Sequence, residues 1–236
     1  MVSAKRRGIR RWIRRLLVLG LIVVSSFALY LVVSWPDVAA LTESPPETTA
    51  FIEGARSRGI DVDWRWVPYD RISPELKKSV LVAEDFSFFS HHGFDTHEIK
   101  IAAREAMQGK RVRGASTITQ QLAKNLWLSP SRSPFRKLKE LILTRQLERD
   151  LSKRRILELY LNVVQFGPDV YGAEAASRRY FGIPPGELDR EQAARLAASL
   201  PRPAAWHPGV SSRGYNRSVA RILARMEQAD WLDQWL

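Results

Sequence analysis

Apolar and polar positions repeat with a helical period along most of this chain, and the departures from that period mark its organisation. Leu16 to Trp35, "LLVLGLIVVSSFALYLVVSW", runs twenty residues without a charge. That is enough for a helix to cross a hydrocarbon core about 30 Å thick. "TESPPETTA" reads as loop, and "DVDWRWVPY" alternates like a short strand or extended segment. Beyond it the chain is helical, with clear starts and stops. Ser73-Pro74 sets a cap and a first-position proline ahead of "PELKKSVLVAED". "HEIKIAAREAMQGK" has apolar residues at helical spacing and a glycine stop. Ser133-Pro134 repeats the cap-plus-proline start for "FRKLKELILTRQLERDL", and Ser152 caps "KRRILELYLNVV". A helix is predicted from Tyr171 to Phe181, stopped by Gly182. Asp189 and Gln192 form a capping box for "REQAARLAASL", and Arg217 to Leu232 makes a last amphipathic helix. The pattern predicts an all-α domain on a single-pass tether. Its parts are a basic tail (1–15), a transmembrane anchor (16–35), a membrane-proximal linker (36–66) and a helical domain (67–236).

Composition sharpens this picture. Of 236 residues, 45% are apolar, which supports a true core and excludes wholesale disorder. The absence of cysteine excludes disulfides and thiolate chemistry. The net charge of +12 is unevenly spread: residues 1–15 carry +7, residues 16–99 carry −6, residues 100–155 carry +11, and residues 156–236 balance. So strong a central block calls for a polyanion: nucleic acid, an anionic membrane surface or a phosphorylated substrate. The basic flank "KRRGIRRWIRR" ahead of the apolar run stays cytoplasmic, which places residues 36–236 outside and makes nucleic acid the wrong partner. A cleaved signal peptide competes with the anchor, with "DVAA" as a weak cleavage site, but its apolar region would run only about 7–15 residues.

Three stretches hold candidate chemistry. In "VAEDFSFFSHHGFD", Glu84 follows an apolar helix and precedes phenylalanines, surroundings that raise a carboxyl pKa toward the range of a general base or acid. Asp85 and His91 are placed to lock the turn. Taken alone, the stretch reads equally as a capped turn with a satisfied carboxylate. In "GASTITQQLAKNLWL", uncharged hydrogen-bonding groups crowd onto about three helical turns, with Gln120 and Lys124 on one face and Gln121 and Asn125 in a neighbouring row. The set suits a hydroxyl-rich ligand bearing phosphate, or else a solvated face. In "SPFRKLKELILTRQLERDLSKRRILELYLN", Arg136 and Glu140 stand at i, i+4 with Lys137 one step round. Glu140 is then either a surface ion pair or the second carboxylate of a site. Glu148 and Glu158 read as structural ion pairs.

Taken together these stretches resemble the peptidoglycan glycosyltransferase domain of glycosyltransferase family 51. "EDFSFFSHHG" fits E-D-x-x-F-x-x-H-x-G, and "GASTITQQLAKNL" fits G-x-S-T-I-T-Q-Q-x-x-K-N-L. "RKLKE" and "SKRRILELYLN" fit R-K-x-x-E and S-K-x-x-I-L-E-x-Y-L-N, and the likeness continues through "YGAEAASRRYFG" and "EQAARLAASLPRPAAWHP", roughly Val67 to Pro208. Ala115 stands where glycine is common, and Pro168-Asp169 where small residues are usual. The resemblance is to the monofunctional, membrane-anchored form, with no room for a transpeptidase domain.

The resemblance implies a lysozyme-like α-helical fold that polymerises lipid II into β-1,4-linked glycan at the outer face of the cytoplasmic membrane. The reaction inverts the donor and releases undecaprenyl pyrophosphate. Glu84 maps onto the general base and Glu140 onto a second essential carboxylate. Asp85, Ser116, Thr117, Gln120, Gln121, Lys124 and Asn125 map onto substrate-contacting positions, and Arg136, Lys137 and Lys153 onto basic residues near the pyrophosphate. No cofactor is required, although in the family a divalent metal (Mg or Mn) can assist at the pyrophosphate. The partners implied are lipid II, the growing strand and membrane lipids, with division or elongation proteins as further candidates. Leu126, Trp127, Leu128 and Phe135 are either core or apolar residues that dip into the headgroup region.

Overall fold

Side chains that cap their own backbone fix where the helices begin. In the computed structural model, which describes residues 2–109, 116–131 and 133–236, Ser73 accepts from Leu76 N–H and starts α3 (Pro74–Glu84). Ser133 accepts from Arg136 N–H to start α6 (Pro134–Asp150), and Ser152 from Arg155 N–H to start α7 (Lys153–Val163). Thr117 and Gln120 form a capping box on α5 (Ile118–Trp127), as Asp189 and Gln192 do on α9 (Arg190–Ala197). Each such cap is worth about 1 kcal/mol. The remaining helices are α1 (Val2–Val33), α2 (Ala50–Arg56), α4 (Thr96–Met107), α8 (Ala173–Phe181) and α10 (Arg213–Met226).

The N-terminal part, 1–37, and the part 38–236 are separate compact units. The anchor expected at 16–35 falls partly on residues 27, 28 and 30–32, whose side chains lie outside the described residues. Among the described residues, no helix is long and apolar enough to cross a membrane.

In the second unit α3 packs on α9 and α10, while α5 packs on α2, α6 and α7. Helix α3 is sheathed on all sides from Leu76 to Val82. Burial of its apolar side chains is worth about 1.5–3 kcal/mol each. Its buried polar groups are all engaged: Lys77 Nζ lies 3.9 Å from the centre of the Tyr69 ring, Lys78 reaches Asp230 and Asp233, and Ser79 donates to Ala193 O.

The short strand expected in "DVDWRWVPY" is β1 (Asp63–Trp64), which pairs in parallel with β2 (Val170–Tyr171) in a mostly helical unit. Three sequence expectations are corrected. Tyr171 therefore belongs to a strand, and α8 starts at Ala173 after Gly172. There φ is +79° and a Cβ would stand 2.5 Å from Asn162 O. The last helix starts earlier and stops sooner than Arg217–Leu232: Ser212 caps it at Arg213, and after Met226 a 3-10 turn runs Asp230–Trp235, pinned by Lys78. Finally, 38–66 is no linker. Thr49 caps α2, Ile52 and Ala55 bury against Tyr171, and Arg155 donates to Leu41 O and Ser44 O. Asn162 then fastens Val67 to α7 through Val67 N–H (2.8 Å) and Val67 O (2.9 Å).

Candidate active site

The C-terminal end of α3 delivers Glu84 to the flank of α5. The turn that follows is built to hold it there. Asp85 is buried, and its Oδ2 accepts from Ile118 N–H (2.9 Å) at the start of α5. Its Oδ1 lies 2.9 Å from His91 Nε2, and His91 Nδ1 accepts from Gly93 N–H, so the imidazole proton sits on Nε2 and is donated to Asp85. Gly93 O in turn accepts from Thr117 Oγ1 (2.7 Å). Asp85, His91, Gly93 and Thr117 thus bolt the Glu84 turn to the first turn of α5.

Glu84 itself is half-buried, with Oε2 accepting from Gln121 Nε2 at 2.7 Å. Gln121 Oε1 accepts from the hydroxyl of Tyr160 (3.0 Å), a fully buried side chain on α7. That bond fixes which end of the Gln121 amide faces the carboxylate. Burial raises the Glu84 pKa; the Gln121 hydrogen bond and the charge of Lys124 oppose it, and Asp85 adds to it. Burial, with Glu84 and Asp85 nearby, holds the Tyr160 phenol well above its ordinary value. A carboxylate held toward neutrality, with one oxygen tied to an amide, leaves its other oxygen to take a proton.

Cations gather beyond Lys124. Burial lowers the Lys124 pKa, Glu140 and Glu84 pull it up, and Arg136 and Lys137 push it down. Lys124 therefore feels both carboxylates and both neighbouring cations. Glu140 is buried, with Oε2 2.8 Å from Arg136 Nη1 and Oε1 bonded to Lys137 Nζ. Arg136 Nε is buried without a partner among the described residues.

A cleft of about 370 Å³ runs past Glu84, lined by Phe86, Ser116, Thr117 and Gln121 together with Asp95, Glu98, Arg221 and Arg225. The sequence candidates thus divide. Glu84, Asp85, Ser116, Thr117 and Gln121 line the cleft, and Lys124 links it electrostatically to Arg136, Lys137 and Glu140. Gln120 is buried, and its Oε1 accepts from Thr117 N–H to complete the cap. Asn125 is buried. Lys153 pairs with Glu148 at 2.9 Å and lies over the Phe88 ring. Leu126 and Leu128 are core, whereas Phe135 is exposed. Ala115 lies outside the described residues. Sequence reasoning missed Tyr160, Arg221 and Arg225; only Tyr160 stood within a quoted motif, "LELYLN".

A divalent metal fits this residue set poorly. Glu140 is taken by two cations and Glu148 by Lys153 and Thr119, and among the described residues no group of three His, Asp or Glu side chains is placed to hold a metal ion.

Residues 54–227 match the family profile described as Transglycosylase. A biosynthetic peptidoglycan transglycosylase of Nitrosospira multiformis is 39% identical over 228 residues, covering 93% of this chain and 97% of the relative. One of Thiobacillus denitrificans is 43% identical over 223 residues, with 92% and 95% covered. One of Dechloromonas aromatica is 49% identical over 167 residues, with 70% and 72% covered.

Proposed function

Because the chain belongs to the Transglycosylase family, we propose that it is a peptidoglycan glycosyltransferase that polymerises lipid II into glycan strands. The observation that carries the reading is Glu84, raised in pKa and held by Gln121, within the field of Lys124 and the Arg136–Lys137–Glu140 group. Glu84 takes the proton from the 4-hydroxyl of the acceptor GlcNAc as that oxygen attacks the anomeric carbon of the donor MurNAc. The bond to undecaprenyl pyrophosphate breaks on the opposite face, so an α-linked donor becomes a β-1,4 link without a covalent sugar–enzyme intermediate. Positive character grows at the anomeric carbon and negative charge on the leaving diphosphate. Lys124, Arg136 and Lys137 stabilise that charge, commonly the largest catalytic contribution. Glu140 holds the last two in place.

In this reading the helical unit is lysozyme-like and works outside the cytoplasmic membrane. The uncharged run 16–35, which begins inside the continuous helix α1, anchors it there. A tethered enzyme meets a lipid-linked substrate at high effective concentration.

Purified full-length protein given lipid II is expected to yield polymer and free undecaprenyl pyrophosphate, and Glu84→Gln to lose about 10²–10⁴-fold in rate while still folding. Wild-type turnover by that variant ends the base assignment. Soluble muropeptides released from intact sacculi, with no polymer from lipid II, would make the protein a hydrolase instead.

A further inference from the structure

Past Met226 the chain turns back against α3, the helix that delivers Glu84, as the 3-10 turn Asp230–Trp235. Lys78, buried on α3, grips this turn with a fork: its Nζ lies 3.0 Å from Asp230 Oδ1 and 2.9 Å from Asp233 Oδ1. Leu232, between the two aspartates, is buried as well. The same short turn then reaches beyond Glu84. Trp231 meets Phe86 edge-on, with ring centroids 5.4 Å apart and planes at 80°. Trp235 stacks on Phe89 at 5.3 Å and 17°. Lys78 precedes Glu84 along the chain, and Phe86 and Phe89 follow it. The tail therefore holds the segment on both sides of the carboxylate.

These ring contacts are poorly suited to adding stability. Phe86, Trp231 and Trp235 all remain exposed, so they hide little apolar surface. They are well suited to fixing orientation, because edge-on and stacked ring pairs are both directional. What they orient is the turn that carries Glu84. Asp85, His91 and Thr117 fasten that turn to α5, and the tryptophans add a second restraint from a different element. Phe86 lines the cleft beside Glu84, whereas neither tryptophan is among its lining residues. The segment also lies past residue 227, where the family match ends.

We propose that Trp231 and Trp235, anchored to Lys78 through Asp230 and Asp233, are positioning residues: they hold Phe86 and Phe89 and so set where the Glu84 carboxylate stands in its cleft. This rests on the polymerase reading, in which Glu84 must meet a hydroxyl at hydrogen-bond range. A displacement of about 1 Å at such a group costs on the order of 10²-fold in rate.

The test gives lipid II to the full-length enzyme and compares Trp231→Ala/Trp235→Ala with Trp231→Phe/Trp235→Phe. Both tryptophans are exposed, so both variants should fold. The alanine pair is expected to lower kcat about ten- to 10²-fold while KM for lipid II holds. Amide hydrogen exchange should quicken through Phe86–Ser90 in the same variant. The phenylalanine pair keeps a ring at each contact and should recover most of kcat. Asp230→Asn/Asp233→Asn keeps both rings but loosens their anchor, and should lower kcat in the same manner by less. Unchanged kcat in the alanine pair overturns the proposal. A raised KM at unchanged kcat overturns it too, since the tryptophans would then contact substrate directly. So does a loss of kcat that phenylalanine fails to recover. In each of these cases an active wild type leaves the polymerase reading standing; a wild type that makes no polymer removes that reading and this role with it.

Discussion

Tyr160→Phe deletes one oxygen from a fully buried ring and leaves its packing intact. The lost bond to Gln121 Oε1, 3.0 Å long, is worth about 0.5–1.5 kcal/mol net. Leaving a buried acceptor without its donor costs about 1–3 kcal/mol. Gln121 is half-buried at the cleft, so water can serve its freed oxygen and the lower end of that range applies. The expected loss of stability is therefore about 1–2 kcal/mol. The functional effect works through orientation. A terminal amide torsion is broad and roughly two-fold, so without Tyr160 the Gln121 amide turns and its Nε2 no longer faces Glu84 throughout. The hydrogen bond that opposes the burial effect on Glu84 weakens, and the carboxyl titrates higher still. The acid limb of the kcat/KM profile for lipid II polymerisation should move to higher pH, with a loss of rate that alkaline buffer recovers. A rate loss that is uniform across pH, or an acid limb that moves down, would refute the claim that Tyr160 acts by aiming Gln121 at Glu84.

Glu84→Gln should also change stability with a definite sign. Burial raises the native pKa, so the folded protein retains a proton that the unfolded chain releases. Stability from this group is full below the ordinary carboxylate range and is lost as pH climbs through Glu84's raised value. The glutamine variant escapes that loss; it should melt above wild type at neutral pH, with the gap closing on acidification, as differential scanning calorimetry at several pH values can read. Glu140→Gln should cost about 1–3 kcal/mol in urea titration, less than a fully buried pair because Lys137 is 46% exposed, and polymerisation should fall steeply as Arg136 swings free. Mild kinetics there would reduce Glu140 to an ordinary ion pair. Gly93→Ala meets Thr144 Cγ2 at 2.8 Å and Glu148 Cγ at 3.0 Å at φ +85°, so a loss of about 2–4 kcal/mol is expected, together with impaired turnover as the bolt to α5 shifts.

What could be read from sequence was what is decided locally. Ser73, Ser133, Ser152 and Asp189 announce their helices because a cap needs only the next three residues. Ser212 carries the same signal and starts α10 at Arg213, four residues ahead of the Arg217 expected from the apolar pattern. What escaped is decided across the chain. Tyr171 is a strand residue only because Trp64 lies beside it, and 38–66 is folded only because Asn162 and Arg155 fasten it. The same division runs through the site. The motifs located Glu84 and Gln121, but Tyr160, thirty-nine residues further on, was needed to say which way the amide points. Gln120, one position away, is taken by the cap instead.

In the proposed reaction the two carboxylates of one site receive opposite surroundings, and that contrast divides their work. Glu84 is offered an amide and a lysine whose own charge is disfavoured by burial, which leaves it a usable proton acceptor. Glu140 is offered a guanidinium on one oxygen and an ammonium on the other, so neither oxygen is left free to face a substrate hydroxyl. Its use lies in charge and geometry. With Lys124, Arg136 and Lys137 it brings the cluster to a net +2, matched to a doubly negative diphosphate rather than in excess of it. Removing Glu140 would leave a stronger but looser cation group, one that holds the pyrophosphate product tightly and aims it badly. The signature to look for in Glu140→Gln is therefore slowed release of undecaprenyl pyrophosphate alongside a lower rate of sugar transfer; a variant that releases product faster than wild type would contradict this division of labour.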